Sequence, residues 1–206
     1  MVKKNRSKRR GSSFLLLLIL FFLLTLTKIF FSFFIHSIHI VFDESNYFLI
    51  AYKFWFEGSY SIGNSSYPQY PPLYPLLLSP FTTFKDTEQC IQYILILNSI
   101  ISSTIVFPCY YLSKEYLTER SSILTSFLIG IAPPMFIYSF SIMSENIFFP
   151  LFLTAVYFIV RVSKEDTVKN NLLAGLFISF CVLVKLIALP LILVYGVVKL
   201  YQSIQQ

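Results

Sequence analysis

Residues 14–42 read FLLLLILFFLLTLTKIFFSFFIHSIHIVF and form one nearly unbroken apolar run of 29 residues. As a helix, this run would extend about 43 Å at about 1.5 Å per residue, which is more than the hydrocarbon core of a bilayer requires. The apolar core of a cleaved signal peptide is only about 7 to 15 residues long and ends in small residues. The stretch therefore predicts a first transmembrane helix, in which Lys28 is the one charged residue.

The composition of the whole chain supports a membrane protein. The chain has 206 residues, of which 56% are hydrophobic and 13% are charged, whereas typical soluble chains carry about 25% charged residues. This composition excludes a water-soluble globular protein. The three cysteines stand singly in apolar segments and form no metal-binding spacing.

Further apolar runs predict additional spans after the first one. The sequence predicts an all-α integral membrane protein with about six transmembrane helices, arranged as one membrane module over residues 1–206. The last two runs, 172–184 and 186–200, are short and are separated by Lys185, so they predict a hairpin of tilted or broken helices over 172–200. The predicted spans are 14–42, 91–112, 123–143, 147–162 and the two within 172–200.

The distribution of basic residues predicts the orientation. Six of the 16 basic residues precede the first apolar run, in a basic tail over residues 1–13. If this tail is cytoplasmic, the inside segments hold twelve of the 16, as the positive-inside rule requires. The basic excess is therefore a topology signal, and no nucleic-acid partner is expected. This orientation places the loop 43–88 outside the membrane, together with Asp43, Glu44 and Glu145.

The loop 43–88 has a helical pattern at its start. Asp43, Tyr47, Ile50 and Phe54 recur at helical spacing and predict an aromatic helix at the membrane interface. Gly58 is expected to end this helix. Beyond it, residues 61–66 predict a turn, residues 67–75 are too rich in proline for a regular helix, and residues 73–84 predict a short surface or re-entrant helix.

Two acidic positions are candidates for chemistry. Asp43 and Glu44 follow the first span directly, where carboxylates are costly unless they pair, bind a cation or react. The alternative is that they are simply a polar stop at the end of a helix. Glu145 lies in a very short polar segment between two apolar runs, so it is expected near the level of Asp43. It could equally belong to a helix start in which Ser144 is the cap.

Lysines and tyrosines near these acids are the next candidates. Lys185 stands in an apolar run, and its ammonium either reaches the membrane surface or meets an anion such as a phosphate. Lys53 and Tyr47 are weaker candidates because exposed loops commonly contain such residues. His36 and His39 have helical spacing without a metal motif, and Asn64 begins a short glycosylation pattern that recurs by chance.

Several of these segments together resemble a known family. They are the Asp43-Glu44 pair after the first span, the segment Tyr70-Pro-Pro-Leu-Tyr-Pro, Ser144-Glu145 at the start of an apolar run, and Gly175 through Lys185. The combination resembles integral-membrane glycosyltransferases of the GT-C fold. The likeness is greatest to the branch of protein O-mannosyltransferases and lipid A aminoarabinose transferases, and it covers most of the chain.

The resemblance implies a function and a set of roles. Such enzymes transfer a sugar from a polyprenyl or dolichyl phosphate to a hydroxyl of a protein, lipid or glycan on the extracytoplasmic side. The resemblance also implies that Asp43 is the general base of an inverting transfer. Glu44, Glu145 and Tyr47 would shape the site or bind the acceptor, and a divalent cation is possible. Lys53, Lys185 and Tyr70 would face the donor phosphate.

The sequence departs from this branch in two respects. The branch often has a basic residue before the Pro-Pro pair, where this chain has Tyr70. Members are also generally longer, so the chain resembles their N-terminal part, and a further chain is a possible partner that supplies additional helices.

Two other classes of function compete with this one. A non-catalytic membrane partner, or a carrier for a lipid-linked sugar, would keep its binding or movement of lipid phosphate without Asp43. An ion-coupled transporter would need carboxylates at the bilayer midplane, whereas Asp43 and Glu145 are expected at the surface.

Overall fold

The chain is helical throughout its described part. The computed structural model describes residues 2–35, 42–61, 70–84 and 86–205, and these ranges contain no strand. The bilayer explains this, because backbone groups in hydrocarbon must form their hydrogen bonds within their own segment. The prediction of an all-α membrane protein is confirmed. His36, His39, Lys85 and the pattern at Asn64 lie outside the described residues, as do 62–69 of the predicted turn and proline-rich segment.

The described residues form ten α-helices and three short 3₁₀ helices. The 3₁₀ helices are Ser79–Thr82, Tyr138–Phe140 and Leu186–Ala188. The α-helices are α1 (Val2–Ser32), α2 (Phe42–Glu57), α3 (Leu73–Leu78), α4 (Thr87–Ser103), α5 (Val106–Ser113), α6 (Glu119–Gly130), α7 (Pro133–Ile137), α8 (Glu145–Lys164), α9 (Val168–Val184) and α10 (Pro190–Gln205).

Within the described residues, four helical segments are long and apolar enough to cross a membrane. They are Ser13–Ser32, Thr87–Ser113, Glu145–Lys164 and Leu186–Ile204. The segment from α6 to the 3₁₀ helix after α7 is a fifth candidate, and α9 is a shorter apolar helix. The apolar runs therefore coincide with apolar helices, while the count of about six spans and the cytoplasmic N-terminus remain predictions.

Two predicted spans differ in detail from the helices. The first was predicted over 14–42, but α1 ends at Ser32. The 20 residues Ser13–Ser32 are by themselves long enough to cross a bilayer. The span at 123–143 is bent by 53° between Gly130 and Pro133. Pro133 and Pro134 explain the bend, since proline lacks an N–H and restricts the residue before it.

Helices α8 and α9 form an antiparallel hairpin with the principal apolar core. Phe148, Ala155 and Ile159 of α8 are buried against Ile178 and Cys181 of α9. Thr167 begins α9 by accepting a hydrogen bond from the backbone N–H of Asn170. The hairpin places the start of α8 beside the end of α9, at the end of the bundle where the short helices also lie.

Helices α2 and α3 pack onto this end of the bundle. Tyr47 and Ala51 of α2 share a buried cluster with Tyr74 and Leu78 of α3 and with Ile94 of α4. The predicted helix at the start of the loop is confirmed, and Gly58 ends it with a φ of 62° that favours glycine.

A polar seam joins α1 to α4. The side chain of Lys28 is 0% exposed, and its ammonium donates a hydrogen bond to Ser102 Oγ at 2.9 Å. Near the end of α1, Gln92 Nε2 donates to Ser32 Oγ at 3.0 Å. A polar group buried without a partner is costly, so these hydrogen bonds fix the rotation of α1 against α4.

We predict that Ser102→Ala destabilises the protein, because it removes the hydroxyl that accepts from the buried Lys28 ammonium. The expected loss is about 1–3 kcal/mol, measured as thermal unfolding of the purified protein in detergent. In the Lys28→Met background, the same substitution should have little effect. The control is Thr125→Ala, which removes an exposed hydroxyl on α6. Equal losses from Ser102→Ala in both backgrounds would contradict the pairing.

Candidate active site at the short helices

The first turn of α2 holds both acids that follow the first span. Asp43 and Glu44 lie at its N-terminal end, where the helix dipole favours negative charge. Asp43 is partly exposed, whereas Glu44 is only 2% exposed. The two neighbouring carboxylates therefore differ in environment, and Asp43 is the more accessible one.

Asp43 is held by the proline-rich segment. The phenol of Tyr70 donates a hydrogen bond to Asp43 Oδ1 at 2.6 Å, and Asn46 Nδ2 donates to the same phenol oxygen at 3.0 Å. Asp43 and Asn46 are three residues apart on α2 and so face the same way. The hydroxyl of Tyr60 donates to the backbone carbonyl of Tyr70 at 2.5 Å. Tyr70 thus orients the Asp43 carboxylate.

Tyr47 connects α2 to the start of α8. Its phenol donates a hydrogen bond to Ser144 Oγ at 2.8 Å. Its ring packs edge-to-face against Tyr70 and Tyr74, with centroid distances of 4.9 and 5.1 Å. Ser144 occupies the N-cap position of α8 and Glu145 lies in its first turn, as the alternative interpretation expected, but the Ser144 side chain makes no capping hydrogen bond. Its hydroxyl binds the loop helix instead.

An ion pair joins the first residue of α8 to the residue that follows α9, at the open end of the α8–α9 hairpin. Lys185 Nζ lies 2.6 Å from Glu145 Oε1, and the two side chains are 27% and 13% exposed. The other carboxylate oxygen of Glu145 is buried and has no hydrogen-bond partner. The sequence indicated that Lys185 needs an anion or the membrane surface, and Glu145 is that anion.

The pKa values of Tyr47 and Tyr70 reflect their burial and the carboxylates near them. Burial raises the pKa of Tyr47, its hydrogen bond to Ser144 lowers it, and the negative charges of Glu145 and Asp43 raise it further. Tyr47 therefore lies near both carboxylates. Burial and the hydrogen bond to Asp43 also raise the pKa of Tyr70. Both phenols are protonated at neutral pH, as the donor role of Tyr70 requires.

Glu44 lies on the inner side of the cluster. Its charge contributes to the raised pKa of Tyr74, for which burial is the main cause. The phenol of Tyr74 donates to Asn98 Oδ1 at 3.1 Å, and Asn98 Nδ2 donates to the carbonyl of Ser141. This chain of hydrogen bonds fixes α3 to α4 and to the segment before α8. Glu44 is thus placed to shape the site from within.

Two further predictions concern Lys53 and a divalent cation. Lys53 is ten residues from Asp43 on α2, about 15 Å along the axis. Within the described ranges, no three or more His, Cys, Asp or Glu side chains come together as a metal site. The possible divalent cation therefore remains a prediction.

An apolar cavity of about 730 Å³ adjoins this end of the hairpin. Phe148 and Phe149 line it from the first turns of α8, and Ile187 and Pro190 line it from the residues just after Lys185. The cavity therefore begins within about two helical turns of the Glu145–Lys185 pair. The arrangement thus places one basic side chain, Lys185, whose charge is paired with Glu145, near an apolar cavity.

Comparison with known families shows to which family the chain belongs. The family model for dolichyl-phosphate-mannose-protein mannosyltransferases matches residues 69–203, which is more than half of the chain. The chain belongs to this mannosyltransferase family. The comparisons with curated proteins and with solved structures returned no match.

The match confirms the resemblance to GT-C glycosyltransferases and assigns a family of the mannosyltransferase type. It covers Tyr70, Glu145 and Lys185, while Asp43 and Tyr47 precede it. The roles of all these residues in a mannosyltransferase remain proposals, and Asp43 rests on geometry and on the resemblance alone.

Sequence reasoning missed two polar residues of this candidate site and one contact of a third. Asn46 contacts Tyr70, and Asn98 joins α3 to the segment before α8. Ser144 was recognised at the start of an apolar run, but its hydrogen bond with the Tyr47 phenol was not. The signal for Asn46 was its position three residues after Asp43. The signal for Asn98 was an amide within an apolar run, which is costly unless it is hydrogen-bonded.

We predict that Glu145 and Lys185 are energetically coupled. A double-mutant cycle with Glu145→Gln and Lys185→Gln should give a coupling of about 0.5–3 kcal/mol in unfolding free energy. The matched control is the more exposed Lys199–Asp166 pair, also 2.6 Å apart, for which we expect about 0.2–1 kcal/mol. A coupling energy no larger than that of the control pair would contradict an ion pair that joins the start of α8 to the end of α9.

Proposed function

We propose that this mannosyltransferase-family chain transfers a sugar from a polyprenyl or dolichyl phosphate to an acceptor hydroxyl, with inversion, on the extracytoplasmic side. Asp43 is the general base. The observation that carries the proposal is the Tyr70–Asp43 hydrogen bond, because it holds an accessible carboxylate in a fixed orientation. Tyr47, one turn along α2 from Asp43, donates a hydrogen bond to Ser144, the residue before Glu145, and so joins α2 to the end of the hairpin that carries the Glu145–Lys185 pair.

Each group has one role in the proposed reaction. The acceptor oxygen attacks the anomeric carbon of the donor while Asp43 takes the hydroxyl proton. The bond between that carbon and the phosphate oxygen breaks, and the lipid phosphate leaves with the electron pair. A cation beside the phosphate stabilises the charge that develops there. Attack on the face opposite the leaving group inverts the anomeric configuration.

Lys185 is the proposed contact for the donor phosphate. Its side chain is 27% exposed, and its present partner is a single carboxylate oxygen, so its ammonium has further donor capacity. Glu145 positions Lys185 and is less suited to be the base, because its charge is already paired. Lys53 remains a second predicted phosphate contact, about 15 Å along α2 from Asp43.

The apolar cavity beside the pair supports a lipid-linked donor. The residues that line it are almost all apolar, and it adjoins Lys185 through Ile187 and Pro190. A polyprenyl chain in this cavity would bring its phosphate to the Lys185 ammonium. The acceptor would then approach from the partly exposed side of Asp43. Tyr47 and Glu44 shape this site, and the acceptor is a protein, lipid or glycan.

We predict that Asp43→Asn abolishes sugar transfer because the amide cannot accept the acceptor proton. The measurement is transfer from a radiolabelled polyprenyl-phosphate sugar, in membranes that contain the full chain. The matched control is Asp86→Asn, since Asp86 is an exposed helix cap at α4 and asparagine caps equally well. The control should retain full transfer.

The outcomes distinguish the loss of a general base from a defect in folding. Loss of transfer in Asp43→Asn, at equal insertion and thermal stability, supports the proposal. Transfer that persists in Asp43→Asn excludes Asp43 as the base. Donor binding without transfer in the wild-type chain would favour the non-catalytic carrier.

We predict that Tyr70→Phe slows transfer without weakening acceptor binding. A hydrogen bond to a charged group contributes about 1.5–3 kcal/mol, so kcat should fall by about tenfold or more, while KM for the acceptor changes little. The control is Tyr52→Phe on the exposed face of α2. A higher KM at unchanged kcat would assign Tyr70 to binding instead of to the orientation of Asp43.

A further inference from the structure

A second site lies at the opposite end of the α8–α9 hairpin. Arg161 is 16 residues from Glu145 on α8, so it lies about 24 Å away along the helix. Between α5, α8 and α9, a cavity of about 590 Å³ opens beside Arg161. The proposed transferase site uses none of its residues.

The wall of this cavity has a polar and an apolar part. Near the end of the hairpin it is formed by Arg161, Glu165, Thr167, Lys169 and Asn170. Toward the bundle interior the wall is mostly apolar. Thr154, the deepest lining residue on α8, is seven residues before Arg161, or about 10 Å along the axis. The apolar residues are Phe107, Pro108, Phe158 and Leu173.

The polar part favours an anion. Arg161 is paired with Glu165 at 2.6 Å and lies 3.6 Å from Glu115. Lys169 is exposed. Because Glu115 also lies against Arg161, the two bases Arg161 and Lys169 are balanced in formal charge by Glu165 and Glu115. The positive potential that favours an anion comes from the exposed Lys169 and from the N-terminal end of the 17-residue helix α9, and the Arg161 guanidinium has N–H donors beyond its carboxylate contacts.

A neighbouring cavity extends the same site toward α1. Its volume is about 580 Å³, and it shares Tyr111, Tyr157 and Arg161 with the first cavity. The rings of Tyr111 and Tyr157 lie 6.0 Å apart, and Lys114 and Glu115 also line this side. Tyrosine rings beside basic side chains are typical of a membrane–water interface.

We propose that the cavity between α5, α8 and α9 binds an anionic phospholipid. Its phosphate lies at Arg161 and Lys169, and one acyl chain lies against Phe158 and Leu173. Basic pockets between transmembrane helices suit anionic headgroups, and the apolar depth of the cavity accounts for a tail, which free phosphate lacks. This site is separate from the proposed transfer site.

The test is binding of fluorescent phosphatidylglycerol to the purified full chain in detergent, with competition by unlabelled lipids. Lys169→Gln should weaken binding about fivefold, as expected for one basic side chain near a membrane surface. Its control is Arg120→Gln, an exposed cation on α6 that does not line the cavity. Leu173→Trp should also weaken binding by filling the cavity, whereas the exposed neighbour Leu172→Trp should not.

The competitors identify the ligand. The proposal expects unlabelled phosphatidylglycerol to compete and phosphatidylcholine and inorganic phosphate not to. Equal competition by phosphatidylcholine would mean that the charge is not recognised. Equal competition by inorganic phosphate would mean that the apolar wall is not used. Binding unchanged by both Lys169→Gln and Leu173→Trp would place the lipid elsewhere. Each of these three results would overturn the proposal.

Discussion

The buried hydrogen bond from Tyr47 to Ser144 is the contact on which the arrangement of the candidate site depends. It joins a helix of the loop to the start of α8, and the Tyr47 ring packs against Tyr70 and Tyr74. Without it, the direct side-chain hydrogen bond between α2 and the start of α8 would be lost, and the rotation of α2 against α8 would be less well specified. With it, Asp43 lies on the same end of the hairpin as Glu145, and an otherwise ordinary helical bundle acquires two acids near one another.

The overall architecture was predictable because the bilayer imposes it. Long apolar runs become helices, Gly58 ends α2, and the acids and Lys185 were recognised as costly groups that need partners. The bend in the span at 123–143 was also encoded, in Pro133 and Pro134. The predicted span did not include this bend because mean hydropathy outweighs two prolines inside a long apolar run.

The partners within the site could not be predicted from the sequence. Lys185 and Glu145 are separated by 40 residues, and Tyr47 and Ser144 by 97. Such pairs depend on how helices rotate and pack, which the one-dimensional pattern of apolar residues does not determine. The polar ends of the hairpin also differ in kind. One end carries an exposed network of acids and bases, and the other has an ion pair beside an apolar cavity. This asymmetry supports different ligands at the two ends of the hairpin.

The most direct test of the account is an experimental structure of the full chain in a lipid bilayer with bound polyprenyl phosphate. The account predicts that the phosphate lies within hydrogen-bond distance of Lys185 Nζ, that the lipid tail occupies the cavity lined by Phe148 and Ile187, and that the Asp43 carboxylate faces the phosphate. A polyprenyl phosphate bound at the Arg161 end, or one whose phosphate is far from both Lys185 and Asp43, would contradict the proposed site.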